Sequence, residues 1–288
     1  MGFQEGSVNY PMMYAIEGGF FDQQGLRPRV RVFESANDAL DAILGKSLYI
    51  DSVVPIQNIV NIEIEKPGSL GIFAFLLSDR ARPLDYLVVL SNSEIKTAME
   101  LSGKTIVVFP GTYSETITRL ALDKIGITNV KFIKRSPADM HDALQKGLAD
   151  AGIFYDPMAT QAQLEGWGRI VERGFWENYL LPVIVVGGYT YNLPEAKKNP
   201  DLAKRTFSAL KMGVIKAREN PHEAKAALHK YIKVPGAVID RLPDAYVILA
   251  SEIDPTLIDQ TLDLYVLSGI IPRKIDLSSL LDYAKNIR

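Results

Sequence analysis

A short apolar strand that stops at a glycine turn and feeds directly into a helix is the feature that most restricts how this chain can fold. Residues 103–114 read Gly-Lys-Thr-Ile-Val-Val-Phe-Pro-Gly-Thr-Tyr-Ser. Thr105 to Phe109 form the strand, Pro110-Gly111 break it, and Thr112-Tyr113-Ser114 open a helix. Leu120, Leu122 and Ile125 continue the helical spacing, and Gly126 stands where a glycine just past the last turn stops a helix. A strand of this kind must pair within a sheet, and the helix must cover one face of that sheet. At the strand's C-terminal edge the unit presents free backbone N–H groups and a positive dipole end to a crevice, a place to hold a small ligand.

Two phosphate-binding alternatives fail on residue order. Gly103-Lys104-Thr105 lacks the earlier glycine of a P-loop, because Ala98 occupies that position, and here the strand follows the Gly-Lys pair. Gly45-Lys46-Ser47 fails in the same way, with Leu40 in the glycine position.

The rest of the chain repeats the strand–helix alternation. Pro11 suits a first helical position, Met12 to Glu17 continue that helix, and Gly18-Gly19 end it. Leu26 to Phe33 alternates like a strand; Ser35 is then an N-cap for a helix over Ala36 to Leu44, with Gly45 as its stop. Leu48 to Pro55 reads as a strand leading into a helix over Ile56 to Val60. Further strands are expected at Asp85 to Leu90, Val130 to Ile133, Ala149 to Tyr155 and Leu180 to Val186. Helices are expected at Ala138 to Lys146, closed by Gly147, and after Asp156-Pro157. Beyond Val186 the pattern is mainly helical, clearest in 200–218, 221–231 and 255–269. This is an α/β chain with parallel or mixed sheets covered on both faces. At 288 residues it exceeds the usual size of one core, which predicts two lobes that share the chain discontinuously.

Composition removes several function classes. With 32 Lys+Arg against 34 Asp+Glu there is no electrostatic footprint for nucleic acid. The absence of cysteine excludes disulfides, thiolate metal sites and cysteine nucleophiles. No apolar stretch is long enough to span a membrane. The opening Met-Gly-Phe-Gln-Glu shows no basic and apolar signal segment and reads as the inside of a strand, so the expectation is that an export signal has been trimmed.

Catalysis finds little support. His141, His222 and His229 all fall in expected helices without a carboxylate pattern for metal, and no nucleophile-elbow, zinc-protease or dinucleotide motif is present. No catalytic residue, metal ligand or cofactor is assigned. Binding is better supported. Glu34-Ser35-Ala36-Asn37, Asp51-Ser52-Val53 and Gly111-Thr112-Tyr113-Ser114 each put a small hydroxyl and free N–H groups at a strand's C-terminal edge. Each junction alone is also an ordinary helix cap. Thr112 and Glu115 fit a capping box; Glu115 either caps, leaving room for an anion, or points into the cleft and favours an amine or neutral heterocycle. Tyr10, Tyr113, Phe154, Tyr155, Trp167, Phe175, Trp176 and Tyr179 are the aromatics that could wall a cleft. Asp156 is either a helix cap or a polar anchor.

The run from Asp85-Tyr-Leu-Val-Val through Leu101-Ser-Gly-Lys-Thr-Ile-Val-Val-Phe-Pro-Gly-Thr to Leu120-Ala-Leu-Asp-Lys-Ile-Gly-Ile resembles solute-binding proteins of ABC importers. The nearest group is that of the nitrate/sulfonate/taurine and thiamine-pyrimidine binders. Tyr14-Ala-Ile-Glu-Gly-Gly-Phe-Phe, Ala143-Leu-Gln-Lys-Gly-Leu-Ala-Asp-Ala-Gly and Asp156-Pro157 (where the family commonly has Glu-Pro) carry the likeness further. The resemblance implies the type II periplasmic binding protein fold, two lobes each with a mixed sheet flanked by helices and a ligand cleft between them. Residues 1–86 and 187–288 would form one lobe and 87–186 the other, with hinges near Tyr86–Leu90 and Val183–Gly187. Cleft positions carry over onto Tyr10, Ser35, Ser52, Gly111, Thr112, Tyr113, Ser114 and Asp156. The implied function is non-enzymatic: a monomeric periplasmic or membrane-anchored extracytoplasmic protein that captures a small polar organic or anionic solute, of sulfonate, nitrate or pyrimidine type, for an ABC permease. The alternative is a lyase-type biosynthetic enzyme on the same fold.

Overall fold

The computed structural model describes residues 1–4, 6–111 and 113–287. Among them the strands are, in chain order, β1 (Gly2–Gln4), β2 (Arg31–Phe33), β3 (Ile50–Pro55), β4 (Leu70–Asp79), β5 (Asp85–Leu90) and β6 (Thr105–Val108). They continue with β7 (Lys131–Lys134), β8 (Ala151–Tyr155), β9 (Gly168–Arg173), β10 (Val183–Asn192) and β11 (Tyr246–Leu249). They fall into two mixed sheets, one ordered β11-β4-β10-β3-β1-β2 and the other β7-β6-β8-β5-β9. In the larger sheet β1 runs parallel to β2 and β3, while β10 pairs antiparallel with both β3 and β4. In the smaller one β6 is parallel to β7 and β8, and β5 is antiparallel to β8 and β9. Helices flank both sheets, as expected of an α/β chain.

Each sheet grows from the local signals in the sequence. β6 and the helix Tyr113–Lys124 reproduce the strand–turn–helix unit, and Gly126 stops that helix at φ +79°. Gly147, at φ +67°, does the same after the helix Pro137–Gln145. At the end of Ala36–Leu44 the outcome differs: Gly45 keeps a negative φ, and Lys46 takes the left-handed position at φ 62°. The ammonium of Lys46 then reaches Glu195 at 3.0 Å.

Four strands carry the larger differences. β2 is limited to Arg31–Phe33, and β4, β9 and β11 appear where no strand was expected. β4 lies inside the larger sheet, between β11 and β10, and every residue from Leu70 to Leu77 is buried. A strand covered on both faces reads as a continuous apolar run without alternation, which removes the period-2 signal. Beside it, β10 bulges between Val185 and Gly187, and a Cβ at Gly187 would strike the Val54 carbonyl. Glycine there allows the close approach of two backbones.

The chain crosses between the sheets at residues 80–84 and 174–182. The expected hinge strands themselves lie inside the sheets: Tyr86–Leu90 in β5 and Val183–Gly187 in β10. Among the described residues no helix is long and apolar enough to cross a membrane.

Candidate functional site

The C-terminal edges of the parallel strands in the two sheets face a shared cavity of about 640 Å³. From the larger sheet it is lined by Gln4 at the end of β1 and Gly6 to Asn9 after it, by Ser35 to Asn37 after β2, and by Val53, Pro55, Gln57 and Asn58 around the end of β3. From the smaller sheet come Phe109 to Gly111, Tyr113 and Ser114 after β6, and Tyr155 and Asp156 after β8. Both crossings contribute as well, through Pro83, Leu84 and Trp176.

This placement follows from chain direction. A parallel strand covered by the following helix delivers that helix's N-terminus to the strand's C-terminal edge. The helices Tyr10–Glu17, Ala36–Leu44, Ile56–Glu65 and Tyr113–Lys124 all begin at the cavity. Their first-turn N–H groups lack intrahelical partners, and their dipoles put partial positive charge on the cavity wall.

Of the side chains expected at the site, Ser35, Gly111, Tyr113, Ser114 and Asp156 line the cavity. Ser35 caps its helix as anticipated, accepting the Asp38 N–H at 3.2 Å and donating to the Asp38 carboxylate at 2.7 Å. Gly111 sits at φ +92° with nothing near a would-be Cβ, a backbone that favours glycine. Ser114 is buried, and its hydroxyl lies beside the Tyr155 phenol. Thr112 lies outside the described residues.

Tyr10 and Ser52 do not reach the cavity. Tyr10 is packed in an apolar cluster with Phe3 and Met13 and accepts the Ala245 N–H at 3.1 Å, bracing the Pro243–Ala245 wall from behind. Burial pushes its phenol up to about 12. Ser52 is not at a junction, because β3 continues to Pro55. Strand alternation turns Val53 to the cavity and Ser52 away from it. The Ser52 hydroxyl donates to Asn9 Oδ1 at 2.6 Å. Asn9 in turn donates to the carbonyls of Gln4 (2.6 Å) and Gly6 (3.2 Å), so it fastens the loop that forms one wall.

Several lining residues carry no sequence signal of their own. Gln4 donates its amide to the buried Asp51 carboxylate at 3.2 Å. Burial raises Asp51 to about 6, partly offset by that bond and by the Val53 N–H. Asn58 donates to Asn37 at 2.7 Å across two helix starts, and Gln57 Oε1 is buried without a partner. Of the candidate aromatics, Tyr113, Tyr155 and Trp176 line the cavity, while Phe154, Trp167, Phe175 and Tyr179 do not. Tyr155 stacks on Phe109 with centroids 4.3 Å apart, and Trp176 packs edge-on against Tyr113 and Tyr155.

The charge pattern is sparse. No Lys, Arg or His occurs among the described lining residues. Asp244 is neutralised by Lys225, whose ammonium lies 2.7 Å away. Asp156 accepts the Thr160 N–H at 2.9 Å through one oxygen, which makes it a helix cap, and the buried Tyr86 hydroxyl lies beside its carboxylate. Glu115 faces elsewhere: its carboxylate binds Arg119 (3.1 Å) and Lys134 (3.0 Å), which hold it below its ordinary range. Among the described residues no group of three His, Asp or Glu side chains converges to hold a metal. A second hollow, of about 430 Å³, lies at the opposite end of the larger sheet against Leu48, Tyr49 and Asn192. Two helices, Leu193–Lys198 and Pro200–Glu219, begin there, against four at the cavity between the sheets.

Comparison with known proteins places this geometry in context. A family model described as NMT1/THI5 like matches residues 7–224. An Escherichia coli (strain K12) protein named for the binding of aliphatic sulfonates is 26% identical over 199 residues, which is 67% of this chain and 61% of that protein. The chain thus spans less than two thirds of that relative's length. The crystal structure of the periplasmic aliphatic sulphonate binding protein SsuA from Escherichia coli superposes with a TM-score of 0.76 at 22% identity, over 97% of this chain and 90% of that one. The desulfurization enzyme DSZB superposes with a TM-score of 0.73 at 15% identity, over 99% and 97% of the two chains. The two-lobed fold of periplasmic binding proteins is therefore shared by a binder and an enzyme.

Proposed function

The chain belongs to the NMT1/THI5-like family, and we propose that it is the extracytoplasmic solute-binding component of an ABC importer, a monomer that captures a small polar organic solute and delivers it to a membrane permease. The observation that carries this reading is the cavity itself. It draws walls from both sheets, its mainly apolar and aromatic lining carries polar groups at the helix starts, and four helix N-termini converge on it with no cationic side chain among the described lining residues. Such a wall holds an acidic head group through backbone N–H donors, as a sulfonate requires. Asp156 lines the cavity beside the Tyr86 hydroxyl and accepts an N–H or O–H from the ligand's other end. Ser35, Gly111, Thr112, Tyr113, Ser114 and Asp156 are the residues we assign to ligand contact, and Tyr10 and Ser52 act from behind the wall.

We divide the lobes near residues 84 and 182, because β5 begins at Asp85 and β10 at Val183. Closure about the two crossings traps the ligand when the closed state makes the extra contacts. A catalytic role on the same fold has weaker support. The chain has no cysteine, and the described lining residues include no histidine or lysine to serve as a base.

Titration calorimetry with an aminoalkanesulfonate and the matching alkanesulfonate tests the assignment. Asp156→Asn is expected to weaken the amino compound by about tenfold or more, as expected when a charged hydrogen bond is lost. The same variant is expected to leave the unsubstituted sulfonate nearly unchanged. Equal weakening of both compounds would remove Asp156 from the ligand, and binding of neither would count against the anion reading.

A further inference from the structure

Behind the cavity wall, two carboxyl groups are buried together with no cation among the described residues to neutralise them. Asp85 opens β5 at the end of the first crossing, and Glu177 lies in the helix Phe175–Tyr179 on the second. Asp85 is fully buried and Glu177 is 2% exposed. Their immediate neighbours in sequence, Leu84 and Trp176, both line the cavity.

The hydrogen-bond inventory is short of donors. Asp85 Oδ2 accepts the Trp176 N–H at 3.2 Å, the Phe175 N–H lies near the same carboxyl, and the Glu177 carboxyl has its own backbone N–H beside it; these are neutral donors only. The groups packed around them do not make up the deficit. Ser78 of β4 accepts the Leu84 N–H at 3.0 Å and still has its O–H to donate to Glu177, a neutral donor that brings no positive charge. Asp79 adds further negative charge and is itself bound to Arg82, whose guanidinium lies over the Tyr246 ring. Arg80 turns away to the Asn178 carbonyl. The remaining ionisable neighbours are the buried phenols of Tyr86, Tyr113, Tyr155 and Tyr265, all raised by burial, and they bring no positive charge. Two ionised carboxylates at such a place would repel each other with no compensating cation.

We propose that Asp85 and Glu177 share one proton in the folded protein, and that this carboxyl–carboxylate hydrogen bond fastens the two crossings to each other behind the ligand cavity. Burial, followed by the charge of Glu177, drives Asp85 well above the ordinary carboxylate range. Glu177 is raised as well, again mainly by burial. The clasp is part of a wider seam. The Gly174 N–H donates to the Asp85 carbonyl at 2.9 Å, and Gly174, at φ +64°, lets the chain turn tightly against the Glu177 carboxyl. The joint on which any lobe motion turns is thereby sensitive to proton concentration, whatever ligand the cavity takes.

The sign follows from proton binding. A carboxyl raised by folding binds its proton more tightly in the folded state, so its contribution is complete below the unfolded value and is lost as pH rises through the folded one. Denaturant unfolding of the full chain from mildly acidic to mildly alkaline pH reads this directly. The wild-type folding constant is expected to fall by about tenfold per pH unit in the window owned by the pair. Glu177→Gln supplies permanent amide hydrogens to Asp85 and is expected to remove that slope. Hydrogen exchange of the wild-type protein gives a readout that needs no variant: the amides of Leu84, Gly174 and Trp176 should lose protection together on raising the pH. Identical slopes in wild type and Glu177→Gln would overturn the proposal. So would carboxyl resonances of isotope-labelled protein showing both groups ionised at neutral pH.

Discussion

Replacing Asn9 by alanine tests how the polar wall of the cavity is held in place. Asn9 is 2% exposed and makes three hydrogen bonds: to the carbonyls of Gln4 and Gly6, and from the hydroxyl of Ser52. At about 1 kcal/mol net for each bond, Asn9→Ala is expected to cost about 3 kcal/mol, since the Ser52 hydroxyl is left buried and unpaired. For a chain of this size that corresponds to a fall in Tm of about 5 °C. Ser52→Ala removes one bond and leaves Asn9 Oδ1 unpaired, at a cost of about 1–2 kcal/mol. Because both changes break the same contact, the double variant should be less destabilised than the sum, by about 1 kcal/mol. Denaturant melts of the four proteins supply the cycle. Strict additivity would show that the Ser52–Asn9 bond contributes nothing. An Asn9→Ala protein that melts with wild type would refute the view that this side chain anchors the Gln4–Asn9 loop.

Other expectations are as specific. Asp51 is raised from 3.8 to about 6, so it stabilises most below the unfolded value and loses that contribution as pH rises through about 6. Asp51→Asn should flatten the stability profile across that window by about 3 kcal/mol at most, read from denaturant midpoints at successive pH values. Gly111→Ala meets no atom but forces a side chain onto φ +92°; a cost of about 1–2 kcal/mol is expected, with weaker ligand binding by calorimetry. Trp176→Phe removes the indole bond to Thr118 at 3.0 Å and leaves that buried hydroxyl unpaired. It should lower stability by about 1–3 kcal/mol in a thermal melt.

The sequence made some levels of this structure readable and hid others for physical reasons. Junctions governed by backbone chemistry were legible: Ser35 as a cap, Gly111 as a turn, Gly126 as a stop. β4 was not, because burial on both faces erased its alternation, and β11 is a short edge strand after a long helical stretch. At the site, local pattern located the strand edges but not the side-chain directions. Ser52 and Val53 are adjacent, yet one residue of strand sends them to opposite faces. Glu115 was undecided from spacing alone, because its partner Lys134 sits on β7, which only tertiary pairing brings near. Gln4, Asn9 and Gln57 have ordinary sequence surroundings, and it is the sheet order that collects them around one cavity.

The most direct test of the central claim is small-angle scattering of the purified protein, before and after saturation with a sulfonate that raises its Tm. A solute-binding role predicts that the ligand reduces the radius of gyration reversibly and is recovered chemically unchanged after denaturation. Conversion of the compound, or saturation without any change in dimensions, would contradict capture by lobe closure.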